Sequence, residues 1–481
     1  MNELDADIDS HLIEDKPHDE CGVVGVFKRG TKAANIAAFA LYALQHRGQE
    51  SAGIVSSDQE SLYIQTGMGL ISNIFTSENL SALMGDMAIG HTRYSTTGSS
   101  KLINAQPFLV TGANGELALA HNGNLINALE LRDSLENDWN VSFSSSTDSE
   151  VLAYMLVNAP GKNWEERMSY CMRNSKGAFS AVVQTKDSLI AFKDPLGIRP
   201  LCLGKLDGGW IVASESAAID LVSGEFIREL EPGETVIIDN NGVRSFVWPG
   251  RDNREALCVF ELIYFSRPDS VLAGSRIYLQ RRAMGARLAK EYPADADLVI
   301  GIPDSATAAA MGYSEESGIP YSDGLIRNRY IGRTFIEPDQ KSRDIDVKLK
   351  FNSLPEVIKG KRLVVVDDSI VRATTTPMVI DMLRKAGAKE IHMRVCAPPI
   401  KWPCHFGVDM ATRKELVAAN HSEESIRELI GADSLGYLSL EGLLEVNADK
   451  TKGFCHACFS GEYPIPIQLE LDKLTLEDRE S

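Results

Sequence analysis

The sequence predicts an α/β protein of two domains that are built differently, and three observations carry that prediction. At 481 residues the chain is too long for one ordinary core, so two domains are the natural division. From Cys21 to about Val247, short apolar or alternating runs recur between turns: MAIGHTRY, ELALAHNG, FSAVVQT, SLIAFKD, WIVASE and TVIID. With helical stretches at Asn35 to Leu44 and Ser149 to Val157, this half fits stacked, mostly antiparallel sheets with helices outside. Beyond the polar segment WPGRDNREA (248–256), which suits a linker, strands alternate with helices. That alternation implies a parallel, doubly wound sheet with ligands at the carboxyl ends of its strands.

Composition narrows the function classes. The net charge of −18 argues against nucleic acid or an anionic membrane surface as a main partner. No apolar stretch approaches the ~20 residues of a membrane span. Residues 1–20 hold eight acids and one Lys without the apolar core of a secretory signal. Order is therefore expected to begin at Cys21, and the protein is expected in the cytoplasm. Eight cysteines in a chain this long do not suggest a disulfide scaffold; in a reducing compartment they suit catalysis or metal binding. No internal repeat is present.

In chain order, the first chemical feature is Cys21. A Cys followed by Gly at the start of an apolar strand is more often a buried core residue. Its surroundings shift the balance, because QHRGQESAG (45–53), GHTRYST (90–96), AHNGN (120–124) and STDSE (146–150) each set polar groups at the ends of apolar runs. Alone, HNGN would pass for an Asn-Gly hairpin turn. Together the motifs resemble the class II glutamine amidotransferases, which belong to the N-terminal nucleophile hydrolases, over residues 21–250. The resemblance implies an αββα sandwich and removal of residues 1–20 as a self-cleaved propeptide, leaving Cys21 as nucleophile and new N-terminus. An α-amino group beside the thiol, with a pKa of ~7.7, can then act as general base. The resemblance also implies the Asn122 side chain and the Gly123 backbone N–H as donors to the tetrahedral oxyanion. It assigns Arg93 and Asp148 to the α-carboxylate and α-ammonium of glutamine, with Arg47 as a further glutamine-site residue supporting the nucleophile. His46, His91 and His121 are then structural, since the amine fills the place of the base.

The second half reads as a helix over 271–291, strand DLVIGI, a helix over Ala306 to Ser317, strand RLVVVDD, a helix from Thr376 that stops at Gly387, and strand IHMRVCAPP. Both PDS (303–305) and DDS (367–369) fall at strand ends. The run VVVDDSIVRATTT (364–376) offers free loop N–H groups and the hydroxyls of Thr374, Thr375 and Thr376, which suit a phosphate. Asp367 and Asp368 would repel that phosphate unless they face hydroxyls or a metal, and a sugar phosphate satisfies both demands. A plain helix cap explains one acid and one Thr, not two acids and three threonines.

This run closely resembles the phosphoribosyl-diphosphate (PRPP) loop of type I phosphoribosyltransferases, in the DDSIVRGTT form of the amidophosphoribosyltransferase family. Ala373 stands where that family usually has Gly; an ordinary αR backbone is expected there, with the methyl harmless. LIYFSRPDS, GIPDSATAAA and NRYIGRTFI match in order and spacing, so the resemblance extends over a phosphoribosyltransferase domain at 256–466, before a charged tail at 467–481. It implies that Asp367 and Asp368 hold the ribose hydroxyls and help organise Mg²⁺, with Ser305 near the diphosphate and metal. Ser369 joins the PRPP contacts, and Thr374, Thr375 and Thr376 take the 5′-phosphate. Arg327 to Lys350, with seven basic residues against four acids, resembles the loop that closes over PRPP; Arg333, Lys348 and Lys350 would neutralise the departing diphosphate. Tyr264 and Arg267, just after the linker, are candidates for coupling the halves.

Among the remaining thiols, Cys455 and Cys458 form a two-ligand CHAC chelate that needs two more ligands for a closed site. Cys258 and Cys404 match ligand positions in cluster-containing family members, so the resemblance implies a structural [4Fe–4S] cluster on Cys258, Cys404, Cys455 and Cys458, with zinc as the rival. Cys171, Cys202 and Cys396 suit core thiols. The activity implied is glutamine hydrolysis at Cys21 and transfer of the ammonia to PRPP, giving 5-phosphoribosylamine, pyrophosphate and glutamate. The resemblance implies that this is the first committed step of de novo purine (IMP) biosynthesis, carried out by a homotetramer that purine nucleotides inhibit. A PRPP-sensing regulator without transferase activity is one alternative, against which Cys21, Asn122 and Asp148 weigh. A glutaminase serving another acceptor is a second, against which the PRPP loop weighs.

Overall fold

In the computed structural model, residues 21–94, 99–251, 253–328, 350–410, 412–446 and 453–467 are described. The alternating runs of the first half form strands β1 (Gly22–Lys28), β2 (Ser51–Ser57), β3 (Leu62–Met68), β4 (Met87–Arg93), β5 (Phe108–Gly112), β6 (Gly115–Leu125) and β7 (Gly177–Gln184). They continue through β8 (Ser188–Lys193), β9 (Cys202–Leu206), β10 (Gly209–Ala213), β11 (Glu225–Glu229), β12 (Glu234–Asp239) and β13 (Gly242–Val247). One sheet has the order β11, β9, β10, β1, β4, β2, β3 and the other β13, β12, β8, β7, β6, β5. The pairings are antiparallel, as in Val24 opposite Gly90 on one side and Ala213 on the other.

Side-chain alternation along these strands makes three apolar layers. Val24, Val26 and Ile54 face the helix Ala33–Ala43; Val23, Val55 and Ile89 meet Ala118, Val182 and Leu189 between the sheets; Leu119, Phe179 and Ile190 pack on the helix Asp148–Asn158. The expected αββα sandwich is thus present. Helices Ala128–Trp139 and Trp164–Asn174 were not anticipated. Both are polar overall, with few buried residues.

The second domain opens with β14 (Leu257–Cys258). The helix expected over 271–291 begins only at Ile277, because β15 (Val271–Leu272) and β16 (Ser275–Arg276) form a hairpin around Ala273 and Gly274, both at positive φ. Strand β17 (Leu298–Gly301) follows that helix. A two-stranded ribbon of β18 (Leu325–Arg327) and β19 (Phe351–Ser353) comes next, then β20 (Arg362–Asp367), β21 (Glu390–Val395), β22 (Ser434–Tyr437) and β23 (Phe454–Cys455). Strands β17, β20, β21 and β22 make a parallel sheet in that order. Tyr321 bridges in parallel to Val299 of β17. The chain therefore leaves β17 toward Tyr321 on one side and returns through β20 on the other, which places a topological switch point between β17 and β20. Both faces are covered: Leu363 and Val365 enter one apolar cluster, Val364 and Val366 the other.

The halves share part of that second cluster, in which Ala178, Leu196 and Ile198 of the first domain pack with Val259 and Phe260. No described helix is long and apolar enough to cross a membrane.

Candidate active site

Cys21 sits at the head of β1, the central strand of its sheet, and is 7 % exposed. Its Sγ lies 3.4 Å from the Tyr94 carbonyl oxygen, just beyond the end of β4. Burial pushes the thiol up to about 11, and the Tyr94 carbonyl and Arg93 offset this only in part. The thiol is therefore neutral near pH 7, and attack requires a base. His91 and His121 are both held below the usual imidazole range by burial, His91 to about 3. His91 Nε2 lies 3.0 Å from the His121 carbonyl oxygen, the structural place expected of it.

Cys21, Arg93, His121, Gly123 and Asp148 line one small cleft. Asp148 is the first residue of its helix, capped by Thr147, and its Oδ2 accepts from Leu125 N at 2.9 Å, which holds the helix start against β6. Arg93 Nη1 pairs with Glu50 at 2.5 Å. Gln106 and Ser149 also line the cleft and were passed over in the sequence, where nothing ties Gln106 to residues 43 positions away. Gln106 accepts from His121 N at 2.8 Å and donates to Ser149 Oγ at 3.0 Å.

The HNGN segment is no hairpin turn. Strand β6 runs through it, with Asn122 opposite Ser180 and Gly123 opposite Phe179 of β7. Gly123 has φ of 143°, and a Cβ there would fall 1.9 Å from the Ala178 carbonyl oxygen, so only Gly fits. Asn122 does not itself line the cleft; it is 1 % exposed, and its Nδ2 donor has no hydrogen-bond partner among the described residues. A buried amide left without a partner costs free energy that an arriving oxyanion would recover.

Arg47 lies next to the nucleophile, where a supporting residue was expected. It does not line the glutamine cleft. Its guanidinium is buried between Glu215 (2.5 Å) and Glu261 (2.6 Å), and Nε donates to the Cys21 carbonyl oxygen at 3.2 Å. Three partners commit its fork to holding the nucleophile's backbone rather than a substrate carboxylate. Glu215 also receives the Arg267 N–H at 2.8 Å, so Arg267 does lie at the domain junction, while Tyr264 packs edge-on to Phe265.

The second cluster of polar groups lies at the switch point. Asp367 ends β20, and Asp367, Asp368 and Ser369 are all buried. Ser305, in the turn after β17, donates to Asp368 Oδ2, and Ser369 Oγ donates to Asp368 Oδ1 at 2.7 Å. Beyond them begins the helix Thr376–Lys385, for which Thr375 provides no side-chain cap. Thr374 Oγ1 is buried without a hydrogen-bond partner among the described residues. An uncapped helix start with an unsatisfied hydroxyl beside it is a ready anion site. Ala373 corrects the expectation of αR backbone: its φ is +54°, in the left-handed region. The chain must reverse between β20 and the helix, and residue 373 makes that bend. Lys350 stands at the base of the β18–β19 ribbon, its carbonyl accepting from Asn328 N at 2.9 Å. Arg333 and Lys348 lie outside the described residues.

Of the four cysteines expected to hold a cluster, Cys258, Cys404, Cys455 and Cys458 lie within electrostatic reach of one another, and among the described residues no three form a group that could hold a metal ion. Cys258 and Cys455 are register neighbours on the parallel pair β14–β23, and Cys404 Sγ accepts from Phe406 N at 3.4 Å. Burial pushes the Cys258 thiol up to about 11 and raises Cys455 and Cys458 further, with the other thiols of the group adding to the rise in each case. Cys171, Cys202 and Cys396 are buried as expected.

A buried thiol and a buried, unpartnered amide in one domain, and an acid-hydroxyl loop at a switch point in the other, define a glutamine amidotransferase joined to a phosphoribosyltransferase. Residues 91–221 match the glutamine amidotransferase domain model and 269–401 the phosphoribosyl transferase domain model. The amidophosphoribosyltransferase of Synechococcus elongatus is 46 % identical, covering 98 % of this chain and 98 % of its own, and that of Archaeoglobus fulgidus is 47 % identical, covering 93 % and 98 %. The solved glutamine PRPP amidotransferase from B. subtilis, complexed with ADP and GMP, superposes with a TM-score of 0.88 at 44 % identity, covering 94 % of this chain and 99 % of its own. The chain belongs to the amidophosphoribosyltransferase family.

Proposed function

We propose that the chain releases ammonia from glutamine at Cys21 and passes it to PRPP held at Asp367 to Thr376, forming 5-phosphoribosylamine, pyrophosphate and glutamate. The observation that carries this is the buried tie between the nucleophile and the second domain: Arg47 touches the Cys21 carbonyl and Glu261 at once.

In the glutaminase step, Arg93 and Asp148 face the two charged groups of glutamine across the cleft. Removal of residues 1–20 would free the Cys21 amine, which takes the thiol proton and later returns it to departing ammonia. The Asn122 amide and the Gly123 N–H receive the oxyanion, fixed donors being worth most in a water-poor site. Arg47 is a positioning residue there.

In the second site, Thr374, Thr375 and Thr376 with the helix N-terminus take the 5′-phosphate, Asp367 and Asp368 face the ribose hydroxyls, and Ser369 completes the loop. Two carboxylates and the Ser305 hydroxyl are hard oxygen donors, which fit Mg²⁺ carried largely on substrate phosphates. That ion supplies charge neutralisation for the leaving diphosphate. Lys350, with Arg333 and Lys348, would add to it.

The thiols of Cys258, Cys404, Cys455 and Cys458 suit a structural [4Fe–4S] cluster. They lie within electrostatic reach of one another, yet among the described residues no three converge on a single-ion position. Four thiolates suit zinc as well as a cluster, and it is the family resemblance that favours iron. We further place the enzyme in the cytoplasm at the entry to purine synthesis, with domains at 21–250 and 256–466. A homotetramer and inhibition by purine nucleotides complete the reading; the nucleotide-bound B. subtilis relative supports the latter.

The test is release of glutamate and pyrophosphate from glutamine, PRPP and Mg²⁺. Cys21→Ala should abolish glutamate release and keep pyrophosphate release from ammonium. Absence of pyrophosphate from both nitrogen sources would overturn the proposal. Anaerobic iron and sulfide analysis decides the metal, and intact mass decides whether the active chain starts at Cys21.

A further inference from the structure

The oxyanion strand of the first domain is backed by a loop of the second. Gly407 has φ of 102°, and a Cβ placed there would stand 3.0 Å from the carbonyl carbon of Gly123, 3.2 Å from its Cα and 3.0 Å from Arg199 Nη2. On its other side Gly123 is pressed against the Ala178 carbonyl oxygen. The loop is fixed at three further points: Asn124 Nδ2 donates to the His405 carbonyl oxygen at 2.9 Å, Arg199 Nε donates to the Phe406 carbonyl oxygen at 2.9 Å, and Phe406 N donates to Cys404 Sγ at 3.4 Å. Arg199 is fully buried and reaches toward Glu261 at 3.9 Å.

A glycine has more backbone freedom than any other residue, whereas an oxyanion donor must be held still before the charge develops. Gly123 cannot be stiffened by a side chain of its own, since Ala178 occupies that space. Rigidity must come from what packs on it.

We propose that the loop His405–Gly407 is a positioning element for the glutaminase site, clamping the Gly123 peptide from the other domain so that its N–H points at the oxyanion. This rests on the two-site function above. The loop touches no substrate; its effect falls on the transition state, so it belongs in kcat rather than in glutamine binding.

The experiment uses the full-length enzyme with Gly407→Ala, and Gly208→Ala as a matched control. Gly208 is also at positive φ, in a turn of the first domain, with open space where its Cβ would go. For Gly407→Ala, kcat for glutamine hydrolysis should fall at least about tenfold, with glutamine KM within about twofold. Affinity for glutamate γ-semialdehyde, which forms a tetrahedral adduct with the thiol, should fall in parallel while glutamate affinity stays. Ammonia-dependent pyrophosphate release should be retained. If Gly407→Ala does not fold, Asn124→Ala removes the tether without adding bulk, and the same split between kcat and KM is expected. Unchanged kcat and adduct affinity, or equal losses in Gly208→Ala, would overturn the proposal. A wild-type enzyme that fails to hydrolyse glutamine would instead overturn the function on which it rests.

Discussion

A thiol that burial holds near 11 is a poor nucleophile at neutral pH, and burial holds His121, in the same cleft, below the usual imidazole range, so the base we propose is the amine that removal of residues 1–20 would free. The expected consequence is a processing-dependent titration. In a chain that begins at Cys21, the rate of iodoacetamide alkylation should rise with an apparent pKa near that of an α-amine, ~7.7. In a chain that retains residues 1–20, it should keep rising toward about 11. Superimposable profiles would remove the amine from the mechanism. Ala373 is the other residue where a single atom matters. Left-handed backbone costs an alanine roughly 1–2 kcal/mol, while the freedom glycine loses on folding costs roughly 0.5–1 kcal/mol. Ala373→Gly should therefore stabilise the protein by about 0.5–1 kcal/mol. Since the strain is present without ligand, PRPP KM should change little, and thermal denaturation with PRPP kinetics checks both halves of the claim. Neither point was legible beforehand: residue type announces a Cys and an Ala, but depth of burial and φ are set by the chain around them.

At the scale of elements, strand periods were legible and their interruptions were not. The runs of β6 and β20 are apolar enough to announce strands, and the parallel sheet follows from their alternation with helices. The turn preference of the Asn-Gly pair is overridden by ladder pairing with β7. That placement gives Asn122 its use. Truncating it to Ala should lower kcat for glutamine about 100-fold to 1000-fold and leave ammonia-dependent synthesis intact. The PRPP loop offers a contrasting case. Thr374 Oγ1 is buried without a partner among the described residues, so Thr374→Val removes an unsatisfied hydroxyl and should leave stability unchanged or slightly higher. If that hydroxyl waits for phosphate, PRPP KM should rise about fivefold to tenfold, matching one lost hydrogen bond. A variant with normal PRPP kinetics would take Thr374 out of the site.

At the scale of the molecule, the decisive features join residues far apart in the chain. Arg47 meets Glu215 across 168 positions and Glu261 across 214, and no local pattern could have forecast a buried arginine shared by two domains. Burial alone would raise the carboxyl of Glu215, but His46 and Arg47 hold it well below the usual range. A carboxyl depressed on folding contributes stability that is present above its unfolded value, about 4.5, and is lost as pH falls below it. Glu215→Gln should therefore flatten the loss of stability below that pH. Glu261 is fully buried, and its partners Arg47 and Ser266 belong to opposite sides of the domain junction. Removing one member of a buried pair strands the other, at a cost of about 3–5 kcal/mol, and retention of Glu215 should keep the loss toward the lower end. Glu261→Ala should thus lower the unfolding temperature. Because Arg47 would be free to leave the Cys21 carbonyl, it should also cut glutamine-dependent synthesis more than ammonia-dependent synthesis. Equal losses in the two activities would mean that Glu261 only glues the domains together, whereas a selective loss ties the nucleophile's position to the domain that consumes its product.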